Sequence, residues 1–170
     1  MRAVHLDALR VPPRGVGGAA RALLHAVALQ RARGAGSTRV GGDAALGAHF
    51  AEVGAGPLAA ELQRQLDTQC ARLVGAAGRA AVVVVRVRVR VREAGAGRPG
   101  LLSALWGGQA PVAEEYVLPV EVAREGAAGE SMQAALNARL RRVLEHVQAD
   151  ESELLLSTAE LRVELHLQSS

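Results

Sequence analysis

The 170 residues predict an α+β fold, a mainly antiparallel sheet with one long hairpin packed against three helices. Two runs of period-two alternation supply the sheet. Val82 to Arg92 reads VVVVRVRVRVR, so a strand there has one apolar and one cationic face, whereas a helix would smear both sets around its axis. Near the end, AELRVELHLQ sets Leu161, Val163, Leu165 and Leu167 against Glu160, Arg162, Glu164 and His166. Three further stretches repeat apolar residues at three- and four-residue steps, the spacing of amphipathic helices.

Taken in order, Val4 to Val11 alternates loosely and is closed by Pro12-Pro13, which suits a short first strand. In VGGAARALLHAVALQRARG the residues Val16, Ala20, Leu23, Leu24 and Val27 follow helical spacing, with Arg31 and Arg33 in the last turn and Gly34 as the stop. Gly17 and Gly18 weaken its first turn. Residues 34–56 are rich in Gly and Ala and predict a loop with a short strand around His49 to Val53. Pro57 suits the first position of a second helix, along which Leu58, Leu62, Leu66, Cys70 and Leu73 form the apolar stripe and which Gly75 and Gly78 end. The Val82–Arg92 strand leads through EAGAGRPGLLSALWGGQAP to EEYVLPVEVARE, a hairpin with an elaborated tip. From Ser131, SMQAALNARLRRVLEHVQ is the clearest helix, with Met132, Leu136, Leu140, Val143, Leu144 and Val147 on its stripe.

In the arginine-valine strand the first valines are expected to be buried on both faces, and the later half to keep one face in solvent. Four arginines on one face, Arg86, Arg88, Arg90 and Arg92, repel one another unless neighbours answer them. Glu115, Glu121, Glu160 and Glu164 are the candidate cross-strand partners.

A chain of this length is expected to form a single domain over residues 1–170. The pI near 10.3 invites a nucleic-acid reading, but the net charge is only +3 and every basic residue is arginine, whose high pKa lifts the pI alone. Only Phe50, Trp106 and Tyr116 could stack on bases, so no nucleic acid is expected. A lone cysteine, Cys70, excludes an internal disulfide and reads as a core residue. No apolar run reaches the length of a membrane span and no signal peptide is visible, which makes cytoplasmic residence the expectation.

Catalytic signals are absent. Gly95, Gly97 and Gly100 spell G-x-G-x-x-G, yet no helix begins there to aim amides at a phosphate. His5, His25, His49, His146 and His166 are scattered, with no metal-binding spacing, and His25, one residue off the stripe of its helix, reads as a boundary residue rather than a ligand. No nucleophile elbow occurs. Glu114-Glu115 and the Asp150, Glu151, Glu153 cluster read as solvated surface. Neither an enzyme, a metal nor a cofactor is expected.

The order strand, helix, helix, long hairpin, helix, strand resembles the autophagy-related protein 101 family of HORMA-domain proteins. Leu24, His25, Gln30, Arg31 and Gly34 in ALLHAVALQRARG match that family's leucine-histidine helix and its H/Q-R-x-x-G ending. The Phe50 region, the helix starting at Pro57, PGLLS near the hairpin tip, EEYVLPVEV and QAALNARLRRVLEHVQ follow in the same order, so the resemblance covers about residues 4–167. It implies a single HORMA-like domain and a non-enzymatic adaptor that binds the HORMA domain of autophagy-related protein 13 and stabilises the autophagy-initiation kinase complex. It further implies a location at the site of autophagosome formation, peripheral to the forming membrane. The family carries a Trp-Phe finger at the hairpin tip that recruits downstream factors. Leu101 and Leu102, with Trp106 close by, occupy the matching positions here, so an apolar tip replaces the aromatic pair. The resemblance also places Arg139, Arg142 and Glu145 of the third helix near the partner. A reading from a different class is an anion-binding module whose Arg86, Arg88, Arg90 and Arg92 face engages RNA or acidic lipid.

Overall fold

A computed structural model describes residues 1–32, 37–92, 112–123, 131–149 and 160–169. The elements are β1 (Arg2–His5), β2 (Leu9–Val11), a 3-10 turn (Pro13–Gly15), α1 (Val16–Arg31), β3 (Thr38–Asp43), β4 (Ala48–Val53), α2 (Pro57–Arg79), β5 (Val82–Arg92), β6 (Val112–Val122), α3 (Met132–Ala149) and β7 (Glu160–Ser169). The fold is α+β. The core role expected of Cys70, the Arg92 side chain, the pairings expected of Glu160 and Glu164, and the hairpin tip with Leu101, Leu102 and Trp106 lie outside the described residues.

The main sheet runs β1-β6-β5-β7, with β2 pairing β6 beyond β1. β5 is antiparallel to β6 and β7, while β1 and β2 are both parallel to β6. The expected first strand is thus two pieces, and β6 shows why. Val122 N–H donates to Ala81 C=O, so the hydrogen-bonded pairs between β6 and β5 fall on Val120, Leu118, Tyr116 and Glu114. Pro119 therefore turns its nitrogen, which has no proton to donate, towards the β1/β2 side. There β1 ends opposite Val117 and β2 begins opposite Val120, so the edge strand is interrupted where the ladder lacks a donor.

The same parity sorts the faces. Val83, Val85, Val87 and Val89 are fully buried, and their partners Val120, Leu118 and Tyr116 share that face. Val82, Val84, Arg86, Arg88 and Arg90 are all half-buried, so the expected contrast between the two halves of β5 does not occur. Arginine stems cover the outer face as the valines do, leaving only their charged heads to water.

Helix α1 lies in the middle of the molecule. It touches α2 and α3 on its flanks, β5, β6 and β7 on one side and β4 on the other. Its buried residues run round the whole helix, from Val16 through Leu23, Leu24 and Val27 to Arg31. It ends at Arg31, with Ala32 N–H bonded to Ala28 C=O, earlier than the expected stop at Gly34. Helix α2 starts at Pro57 as expected but continues through Gly75 and Gly78 to Arg79, because burial of Leu73, Ala77 and Ala80 outweighs the roughly 1 kcal/mol that each interior glycine costs.

The region expected to be mostly loop holds a second sheet, β3 paired antiparallel with β4. Gly41 and Gly42 hid β3 from a composition reading. A Cβ at Gly41 would overlap the buried Glu52 carboxyl group, so that position excludes a side chain, whereas one at Gly42 would lie 2.6 Å from Nδ1 of the exposed His49, which would have to move aside.

Candidate functional site

Because α1 is buried all round, its polar side chains need partners inside the protein. Two buried carboxylates supply them. Near the middle of α1, Glu52 of β4 is 1% exposed and receives Arg21 at 2.8 Å and Arg39 of β3 at 3.0 Å. Beside it His25 accepts the Val53 N–H at Nδ1, 3.1 Å away, and burial pushes its pKa below the usual 6.5, against the opposing pull of Glu52. His25 is thus a core residue, not the boundary residue that its position off the stripe suggested.

At the C-terminal end of α1, Arg31 Nη2 donates to Glu114 Oε1 at 2.6 Å. Tyr116 donates its hydroxyl to Glu114 Oε2 at 3.0 Å. His146 of α3 brings Nε2 to 3.7 Å from Glu114 Oε1 and meets the Tyr116 ring edge-on, 5.9 Å between centroids. Burial raises the Tyr116 pKa to about 12, with Arg31 pulling down and the Glu114 charge adding to the rise. The reading of Glu114-Glu115 as solvated surface is corrected here. Glu114 shares the inward face with Val89, and Glu115 faces outward beneath Arg86 and Arg88, so both are buried for different reasons. Period two separates neighbours in a strand, and that signal was present in the sequence.

On the outer sheet face Glu115 accepts Arg88 Nε at 2.7 Å and Arg86 Nη1 at 3.4 Å. Glu121 stands opposite Val82 instead, away from the arginines. Among the described side chains, Glu115 therefore answers both Arg86 and Arg88. Burial alone would raise the Glu115 pKa; Arg88 and then Arg86 outweigh it and hold the carboxyl below 4.5.

Helix α3 carries the residues expected to face a partner. Arg139 donates to the carbonyls of Ala135 at 3.0 Å and Ala8 at 2.8 Å, and Arg142 reaches both Asp7 carboxylate oxygens at 3.2 and 3.3 Å. Both arginines thereby fasten α3 to the link between β1 and β2. Glu145 is exposed next to Leu144, which was expected on the apolar stripe of α3 but is 37% exposed, because it lies at the edge of the face that Leu136, Val143 and Val147 bury. The finger residues Leu101, Leu102 and Trp106 lie outside the described residues.

No known family model and no curated protein matches this chain.

Among the described residues no group of three His, Cys, Asp or Glu side chains gathers as a metal site, and no helix is long and apolar enough to cross a membrane. A cavity of about 400 Å³ opens between the start of α1 and the second half of α2. Among the described residues its charged lining is Arg14, Arg21, Asp43 and Asp67, and the Cys70 side chain, on the same helix, lies outside them. Asp43 Oδ1 accepts the Leu46 N–H and Asp67 Oδ1 accepts the Gln63 amide.

Proposed function

We propose that the chain is a HORMA-type adaptor that binds the HORMA domain of autophagy-related protein 13 and scaffolds an autophagy-initiation kinase complex, its hairpin tip at Leu101, Leu102 and Trp106 recruiting downstream factors. The resemblance in element order motivates the reading. The observation that carries it furthest is the clamp of Arg139 and Arg142 on Asp7 and Ala8, which makes the outer row of α3 and the β1/β2 edge one continuous surface. Leu144, two residues from Arg142 and so on the other flank of α3, is an exposed apolar side chain that adds apolar area to the polar outer row of Arg141 and Glu145. In this reading Arg139 positions the helix, while Arg141, Leu144 and Glu145 meet the partner.

The anion-binding alternative draws no support from an arginine face whose Arg86 and Arg88 are both committed to Glu115. Pull-down of the cognate protein 13 HORMA domain tests the adaptor reading. Association that Leu144→Arg abolishes, with circular dichroism unchanged, and that Leu101→Ser/Leu102→Ser leaves intact is the expected result. No association between two folded proteins overturns it.

A further inference from the structure

The small β3-β4 sheet treats its two edges differently. Gly54 N–H donates to Ser37 C=O, so the hydrogen-bonded pairs of this ladder are Arg39 with Glu52, Gly41 with Phe50 and Asp43 with Ala48. The intervening residues must point their amides and carbonyls away from the ladder: His49, Ala51 and Val53 outward from β4, and Thr38, Val40 and Gly42 outward from β3.

On β4 that outer edge is closed by side chains. Gln133 of α3 accepts the His49 N–H at 2.7 Å and donates to the His49 carbonyl at 2.8 Å, pairing with the backbone as a neighbouring strand would. His25 of α1 accepts the Val53 N–H. On β3, among the described residues, no strand lies alongside. Val40, in the middle of that open edge, is 83% exposed, and it carries none of the proline, lysine or bulge devices that usually blunt an edge.

We infer that β3 is a docking edge for an extended segment of a partner protein, which adds as a third strand beside Thr38, Val40 and Gly42. Two strands are marginal as a sheet and a third completes it. The segment's chemistry follows from the faces. The residue opposite Val40 joins Val40 and Ala51 on the outer face, and is β-branched or otherwise apolar. Its neighbours fall on the inner face beside Arg39, which is 58% exposed at its side chain and shares the single carboxylate of Glu52 with Arg21. Two cations to one anion leave a positive surplus, so the segment carries an acidic residue next to its apolar one. This site is separate from the α3 face and stands or falls independently of it.

The test uses the full chain and a phage-displayed random peptide library. Selected peptides are expected to alternate acidic with β-branched or apolar residues. Val40→Pro removes the central one of the three outward amides without touching the β3-β4 ladder, and is expected to weaken selected peptides roughly tenfold or more. Val40→Lys, which leaves the backbone intact, gives the same loss should the proline variant fail to fold. Amide exchange supplies a second readout: bound peptide slows exchange at Thr38, Val40 and Gly42, and leaves Arg39 and Gly41, already bonded, unchanged. Failure to select any peptide, or peptides whose binding survives both substitutions, overturns the inference. So does concentration-dependent protection of Val40 in the free chain, because it assigns the edge to a second copy of this protein.

Discussion

Glu114 carries a carboxylate into a face otherwise made of valine, leucine and tyrosine, and it does so because Arg31 on the central helix reaches it at 2.6 Å. A pair so placed adds little net stability, since both ions lost their water. Removing one partner is another matter, because the remaining charge stays buried alone. Arg31→Met is therefore expected to cost about 3–5 kcal/mol, and Arg31→Met with Glu114→Leu to recover most of that, measured by urea unfolding. His25 gives the pH dependence. Its folded pKa lies below 6.5, so as pH falls the unfolded chain takes up the proton first and the folded state loses stability, levelling once the buried ring itself protonates. Glu115 acts lower: its folded pKa lies below 4.5, and its contribution is lost as pH falls from there. Melting temperatures between about pH 7.5 and pH 5 should decline for the native chain, and His25→Gln should flatten that slope. A slope unchanged by the substitution would remove His25 as its source.

The elements differ in how plainly the chain announces them. The alternation in VVVVRVRVRVR has no helical rendering, and β5 occupies the expected residues Val82–Arg92. The start of α2 at a proline was equally plain, and so was the α3 stripe apart from Leu144, which is exposed. β3 was hidden because glycine signals a turn unless one knows that Glu52 and His49 fill the space in front of it. The Arg31–Glu114 pair was hidden for another reason: its residues lie 83 positions apart, and only the placement of α1 against β6 brings them together. Glycines in one helix turn show the same dependence on surroundings. A Cβ at Gly17 meets nothing within 4 Å, whereas one at Gly18 would lie 2.6 Å from the Asp43 carboxyl carbon. Gly17→Ala is expected to raise stability by about 0.5–1 kcal/mol. Gly18→Ala is expected to lower it by displacing Asp43 from the Leu46 N–H, and thermal unfolding of the two variants separates these outcomes.

At the scale of the molecule, one helix is wrapped by a sheet, two helices and a ribbon, and its polar groups are answered from β4 and β6. Such an arrangement ties the parts together through side chains that salt screens poorly, unlike exposed pairs such as Arg64 with Glu61. The interrupted edge of the main sheet has a temporal meaning as well. β1 and β2 leave the ribosome well before β6, yet among the described residues β6, near residue 120, is their only ladder partner. Arg139 and Arg142, which hold the link between them, emerge later still. These two strands therefore wait until β6 and α3 have been made before they can be built in, so a late step of folding closes over them.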